Sequence, residues 1–132
     1  MTHRNLGDVY RRLNRLAEAE AAYERALELL DERLKVNPRD GRALGARAVC
    51  QAKLGKFARA GDDAERSVAL GPTNGDNWYD KAVVHALAGE RQAALEALAR
   101  ALGHGYSRTE AREDEDLRAI RDMPDFSTLT SR

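Results

Sequence analysis

The feature that most constrains this chain is a segment that repeats itself after 34 residues. Shifting the sequence by that distance lays Pro38 on Pro72, and small residues fall on small residues along the whole segment. A fixed period of this length indicates stacked units that bury their apolar faces against one another. The matched pairs include Gly41 with Gly75, Ala48 with Ala82, Ala52 with Ala86, Gly55 with Gly89, and Ala60 with Ala94.

The beginning of the chain follows the same pattern with a longer period. A shift of 41 residues lays Ala19 on Ala60 and Arg25 on Arg66, and the seven extra residues lie between Leu30 and Pro38. We therefore predict a first unit whose second helix, Leu16–Val36, is about two turns longer than its counterpart.

Each unit has the pattern of two helices joined by a tight turn. In the second unit, apolar and small residues recur at helical spacing over 42–54 and again over 57–70. Gly55 separates the two stretches, and Gly71-Pro72 ends the second one, since glycine closes helices and proline cannot continue them. Alanines such as Ala60 stand where helices about 8–10 Å apart would cross.

These residues resemble the tetratricopeptide repeat family, whose pattern is W-x2-L-G-x2-Y, Gly, A-x3-F, Ala and Pro. The third unit supplies Trp78, Ala82, Gly89, Ala94 and Ala101, although Lys81 and His85 depart from the pattern. The resemblance implies an all-α fold, a right-handed α-solenoid of antiparallel helix pairs. We expect units at 1–38, 39–72 and 73–106, followed by a closing segment at 107–132.

Composition agrees with a helical protein and excludes some functions. Alanine, leucine, arginine and glutamate are frequent and only 5% of residues are aromatic, which favours helices. With 22 basic and 22 acidic residues the net charge is zero, so general attraction to nucleic acid or to a membrane is not expected. We expect a cytoplasmic, bacterial protein, with its one cysteine, Cys50, buried as a reduced thiol.

The first unit carries two open alternatives. Met1 to Leu13 starts without a polar capping helix, so we expect either that more chain precedes it or that this face meets a partner, including a second copy. Leu30 and Leu34 lie in the seven-residue extension. We favour their folding back onto the next unit over an exposed contact surface.

The pattern of the closing segment predicts a cap for the open end of the array. Ser107 and Glu110 have capping-box spacing and predict a short helix. The acidic run at 113–116 is expected to face water at a helix start. Apolar residues then recur every three positions and are expected to cover the last unit: Leu117, Ile120, Met123, Phe126 and Leu129.

Function is expected in a concave groove, because in the family the first helices of successive units line one. Arginine forks suit carboxylates and aliphatic or tyrosine side chains suit an apolar anchor, so we predict that an acidic or C-terminal peptide binds there. The family's contact positions fall on Arg4, Asp8, Arg11, Arg12, Arg42, Gly45, Val49, Ala52, Lys53, Asp76, Tyr79, Val83, Ala86 and Leu87.

Other functions find less support in the sequence. The carboxylate clamp that holds chaperone tails needs Asn where Asp8 stands and cations where Asp76 and Asp80 stand, so that partner is disfavoured. The histidines are scattered and no metal, cofactor or nucleophile motif is present. We predict a non-enzymatic interaction scaffold. The alternatives are a regulatory or assembly segment ending a larger bacterial signalling enzyme or transcription regulator, and a self-associating module.

Overall fold

The computed structural model describes residue 8 and residues 15–131, and within this part all regular structure is helical. The fold class predicted from the sequence is therefore confirmed. The elements in chain order are α1 (Leu16–Val36), α2 (Gly41–Lys53), α3 (Phe57–Leu70), α4 (Gly75–Leu87), α5 (Arg91–Gly103), α6 (Arg108–Glu113), a 3₁₀ helix (Glu115–Ile120) and α7 (Pro124–Thr130).

The helices stack in the order of the chain. α2 packs against α1, α3 and α4, and α4 packs against α3 and α5. This packing of each helix on those near it in the chain forms a solenoid, in which α2 and α4 occupy equivalent places as the first helices of successive pairs.

Repeated local chemistry sets the helix ends. Gly55 and Gly89 both adopt φ of 79°, a left-handed conformation that glycine takes without strain, and they form the turns inside the two pairs. The Asp40 carboxylate accepts a hydrogen bond from the Ala43 amide at 3.0 Å, and Asn74 caps α4 in the same way. The proline-containing turns between units therefore lead into helices whose first turn is capped by a side chain.

The long helix α1 has the bounds predicted from the sequence and does not project into solvent alone. Leu34 is buried and Leu30 is half-buried, and both pack with Ala43 and Leu44 of α2. Folding back, the favoured alternative, is confirmed.

One apolar cluster runs from α2 through α5 into the closing segment. Ala60 and Ala94 are fully buried, as expected for helix-crossing positions, and Cys50 is buried too. Trp78 is half-buried against the cluster and donates its indole N–H to the Pro72 carbonyl at 2.7 Å. No helix in the described ranges has the length and apolar character to span a membrane.

The closing segment begins as predicted and then turns twice. The Ser107 hydroxyl accepts from the Glu110 amide at 3.1 Å, which caps α6. The chain is extended at Asp114, forms the 3₁₀ helix, is extended again at Met123, and enters α7 with Pro124 in its first turn. The predicted apolar row does cover the last pair: Leu117, Ile120 and Phe126 are buried, and Met123 and Leu129 pack against the same cluster.

Candidate functional site

The residues predicted to line a groove lie mainly on α2 and α4, and the closing segment lies against them. The 3₁₀ helix packs on α4. We call the side of α2 and α4 that lies against the closing segment, and that includes Lys53 and Tyr79, the α2–α4 face. Two of its polar side chains, Lys53 and Tyr79, bind carboxylates that the chain itself supplies.

Lys53, the last residue of α2, joins three parts of the chain. Its ammonium nitrogen lies 2.9 Å from an Asp116 carboxylate oxygen and also pairs with Asp8. The Tyr23 hydroxyl donates to Asp8 at 2.5 Å, and the Lys53 nitrogen lies 5.4 Å from the centre of the Tyr23 ring. The Lys53 side chain is only 2% exposed, so its charge is satisfied inside the protein.

Tyr79 of α4 is a buried hydrogen-bond donor. Its hydroxyl donates to Asp114 at 2.6 Å, and its ring stacks on Tyr106 with centroids 3.7 Å apart and planes 8° apart. Burial, reinforced by the Asp114 carboxylate, raises the pKa of Tyr79 far above its ordinary value. Tyr79 therefore keeps its proton and presents an O–H to a carboxylate.

The acidic run was predicted to face water, and for two of its members this is wrong. Glu113 and Glu115 are exposed, whereas Asp114 and Asp116 are half-buried on Tyr79 and Lys53. Burial raises the pKa of Asp116, and Lys53 opposes that shift. Exposed and half-buried side chains alternate because Asp114 is an extended residue. Its side chain also caps the 3₁₀ helix, accepting from the Asp116 amide at 2.9 Å.

Arg42, at the other end of α2, is half-exposed and faces acids of its own chain. Its guanidinium lies 3.7 Å from Asp76 and 3.9 Å from Asp80, and it donates to the Asn77 side chain at 3.4 Å. The positive charge of Arg42 is therefore largely neutralised within the protein.

The remaining predicted groove residues fall into two groups. Val49 and Val83 are fully buried, and Leu87 is partly buried, in the cluster that also contains Leu117 and Ile120. These three therefore form apolar core beside the closing segment instead of an open surface. Three predicted residues lie outside the described part of the chain: Arg4, Arg11 and Arg12.

A concavity of about 800 Å³ lies between α1, α2 and α3, on side chains that were not predicted as groove residues. Arg47 donates to both carboxylate oxygens of Asp63, at 2.7 and 3.1 Å, and to Asp31 at 3.0 Å. The bonds to Asp63 raise the pKa of Arg47 further. Beside them, the Gln51 amide oxygen is buried and has no hydrogen-bond partner among the described residues.

The chemistry on the α2–α4 face suits binding. Its groups are a cation and a phenol facing carboxylates, beside aliphatic side chains. The part of the chain that the structure describes contains no group of three or more side chains placed to hold a metal ion. His85 forms a pair with Glu90, Nδ1 to Oε1 at 3.0 Å.

Comparisons with known proteins agree with the helical-repeat fold. A family model described as tetratricopeptide repeat matches residues 1–73, more than half of the chain. The chain is 33% identical over 100 residues to Hsp70-Hsp90 organizing protein 2 of Arabidopsis thaliana, covering 76% of the chain and 18% of that protein. It is 33% identical over 93 residues to U-box domain-containing protein 70 of Oryza sativa subsp. japonica, covering 70% and 11%.

A third relative is Hsp70-Hsp90 organizing protein of Triticum aestivum, 32% identical over 74 residues, which cover 56% of the chain and 13% of that protein. The chain thus spans less than a fifth of the length of these curated relatives. All three are plant proteins, so the bacterial origin expected from the sequence gains no support.

Proposed function

Because the chain belongs to the tetratricopeptide repeat family, we propose that it is a non-enzymatic interaction module whose α2–α4 face binds an acidic segment of a partner protein. The partner's carboxylates would accept hydrogen bonds from the Lys53 ammonium and the Tyr79 hydroxyl. An aliphatic side chain of the partner would enter the apolar cluster beside them. The predicted groove residues at the N-terminal end, Arg4, Asp8, Arg11 and Arg12, would extend the same surface.

One observation carries this proposal. Two aspartates of the chain's own closing segment lie on Tyr79 and Lys53, with Leu117 of the same segment in the apolar cluster. The face binds an acidic, aliphatic segment of its own chain. It therefore has the hydrogen-bond donors and the apolar area that a similar segment of a partner protein would need. Charge-assisted hydrogen bonds of this kind set register and specificity, while apolar burial supplies affinity.

A chaperone is the second candidate partner, because the names of two relatives associate them with Hsp70 and Hsp90. We rank it below an acidic internal segment for a physical reason. Asp76 and Asp80 stand where a clamp for chaperone tails needs cations, and both lie against Arg42. A terminal carboxylate placed there would face two like charges and an arginine that is already paired.

Charge reversal on the groove tests the proposed function. The probe is a fluorescein-labelled ten-residue peptide with two aspartates, a following leucine and a free C-terminus, titrated with the full chain and followed by anisotropy. We expect Arg12→Glu/Arg42→Glu to weaken binding about tenfold or more. Loss of the Arg42 guanidinium removes the cation beside Asp76 and Asp80, and their carboxylates, together with the introduced glutamates, would repel the acidic probe. Far-UV circular dichroism checks that helicity is unchanged.

The matched control is Arg25→Glu/Arg59→Glu, which makes the same change of charge on exposed positions of α1 and α3. It should leave the affinity within about twofold of the unmodified chain, since both side chains are exposed on helices outside the α2–α4 face and salt screens such charges. Equal weakening by both double variants would remove the groove assignment, because the effect would then be one of net charge alone.

A further inference from the structure

We infer that the segment Asp114–Ile120 is an internal ligand of the α2–α4 face, which an outside partner carrying the same pattern displaces. The pattern is two carboxylates two residues apart, with aliphatic side chains three and six positions after the first. The inference rests on the proposed function, since it names the partner class and the regulation of that site.

The polar half of the pattern is given by the two aspartates. Asp114 accepts from the Tyr79 hydroxyl at 2.6 Å, and Asp116 lies 2.9 Å from the Lys53 ammonium. The glutamates between and before them, Glu113 and Glu115, are exposed. The carboxylates at alternate positions are therefore the ones that bind the face, whereas Glu115 pairs with Arg121 at 3.2 Å on the protein surface.

The apolar half is given by Leu117 and Ile120, which are both fully buried in the main cluster. Lifting the segment away would expose the aliphatic surface that these side chains cover. A purely acidic peptide could not refill that space, so an incoming segment has to bring its own aliphatic side chains at the same spacing. This requirement separates the proposed partner from general polyanions.

Two features, one in the internal segment and one in the residue directly after it, indicate an imperfect fit. Its six-residue 3₁₀ helix is longer than such helices usually are, because their hydrogen-bond geometry is poorer than that of an α-helix. Arg121, the residue directly after the segment, donates to Glu115 through Nη1 at 3.2 Å, but its buried Nε–H has no hydrogen-bond partner among the described residues, and such a group is costly. A segment with better helix geometry, or without this orphan donor, would bind the same face more favourably.

The elements on either side of the segment are anchored independently of it. The Arg108 Nε donates to the Leu129 carbonyl at 3.2 Å, and Arg112 donates to the Thr130 carbonyl, so α6 and α7 are joined directly. Asp114 at the start of the segment and Met123, three residues beyond its end, are extended residues outside the helices. The segment can therefore leave the face while α6 and α7 stay in place.

The contacts that hold the segment on its other side are exposed. The Arg91 guanidinium donates to the Ala119 carbonyl at 2.8 Å and to Asp122 at 2.5 Å, at the protein surface. Exposed ion pairs of this kind contribute little net stability. The buried aliphatic side chains thus determine how firmly the segment is docked, and they are the positions to change.

The test uses the full chain and a labelled nine-residue peptide with the chain's own sequence from Glu113 to Arg121. Leu117→Ala/Ile120→Ala in the chain weakens its internal ligand and leaves Lys53 and Tyr79 untouched. We expect this variant to bind the peptide at least tenfold more tightly than the unmodified chain, because a larger fraction of molecules has the face uncovered. Arg118→Ala, an exposed change in the same segment, is the matched control and should leave the affinity unchanged.

Each outcome decides the question. Equal affinity for the double variant and the unmodified chain overturns the internal-ligand inference and leaves the proposed function standing. If neither the double variant nor the unmodified chain binds this peptide or the ten-residue acidic probe, the proposed function fails as well. Should the double variant lose its helical signal, the single variant Leu117→Ala replaces it, with an intermediate gain in affinity expected. A peptide with both aliphatic residues changed to alanine should bind none of the chains.

Discussion

Gly45 shows how closely single atoms are placed in the second helix pair. A Cβ built on it would lie 2.6 Å from an Asp80 carboxylate oxygen and 3.0 Å from the Ser67 hydroxyl, both on buried side chains. Gly61, also inside a helix, has nothing within 4 Å of such a Cβ. The two glycines therefore have different roles: the first permits close packing, and the second only weakens its helix.

We predict opposite effects of the same substitution at these two positions. Gly45→Ala should lower the free energy of unfolding by about 1–3 kcal/mol, because the new methyl group overpacks a buried polar contact. Gly61→Ala should raise it by about 0.5–1 kcal/mol, because alanine restricts the unfolded chain and favours the helix. Urea unfolding followed by circular dichroism measures both, and a gain for Gly45→Ala would contradict the packing described here.

Asp116 makes a pH-dependent contribution to stability. Because its pKa is raised above 3.8 in the folded state, the folded chain keeps this proton to higher pH than the unfolded chain does. The contribution of Asp116 to the free energy of unfolding therefore falls as the pH rises from about 4 through the folded pKa, and then levels off.

The comparison with Asp116→Asn isolates this effect, because asparagine does not titrate. We expect the difference in unfolding free energy, unmodified chain minus variant, to decrease across that pH window in urea titrations at successive pH values. A difference that increases with pH would show that Lys53 outweighs burial and that the direction of the shift is wrong.

The repeat pattern predicted residues that lie near the α2–α4 face, but it did not predict the contacts that they make there. The 34-residue register predicts where small residues and valines pack, and Ala60 and Ala94 are buried as that register requires. The register carries no information about a segment that does not repeat. The contacts of Lys53 and Tyr79 with Asp116 and Asp114 therefore could not be found from spacing alone.

At the scale of elements, helix bounds followed from local chemistry and the path of the closing segment did not. Glycine turns and apolar spacing gave the second pair, and α3 begins and ends at the predicted residues. The apolar period of three after Asp116 was correctly assigned to a capping role, and the structure divides it between the 3₁₀ helix and α7 because Met123-Pro124 interrupts it. Tertiary contacts with α4 determine where the segment lies.

The 3₁₀ helix should contribute to stability mainly through its buried aliphatic side chains. Leu117→Ala should cost about 2–4 kcal/mol, because it leaves a cavity in the main cluster. Arg118→Ala, its exposed neighbour, should stay within about 0.5 kcal/mol of the unmodified chain. Unfolding midpoints in urea compare the two, and similar small losses for both would mean that this segment is not docked as described.

Within residues 15–131, the apolar core is unevenly distributed. The largest cluster includes residues from α2 to α7, whereas α1 packs through two smaller clusters with α2. In a stacked array each unit is stabilised only by its neighbours, so local opening is easiest where the shared core is smallest.

Hydrogen exchange should therefore be slowest in α4 and α5 and faster in α1. Exchange measured by mass spectrometry on peptic fragments of the full chain gives this order directly. Strongest protection in α1 would contradict the distribution of buried side chains described above.

The central claim is that the α2–α4 face is where an acidic, aliphatic segment binds. Chemical-shift mapping of the isotopically labelled full chain during titration with the nine-residue peptide of the Glu113–Arg121 sequence tests it most directly. The account predicts the largest changes at Lys53, Tyr79, Leu117 and Ile120, as the internal segment is displaced. Changes confined to the concavity between α1, α2 and α3, around Arg47 and Gln51, would contradict it.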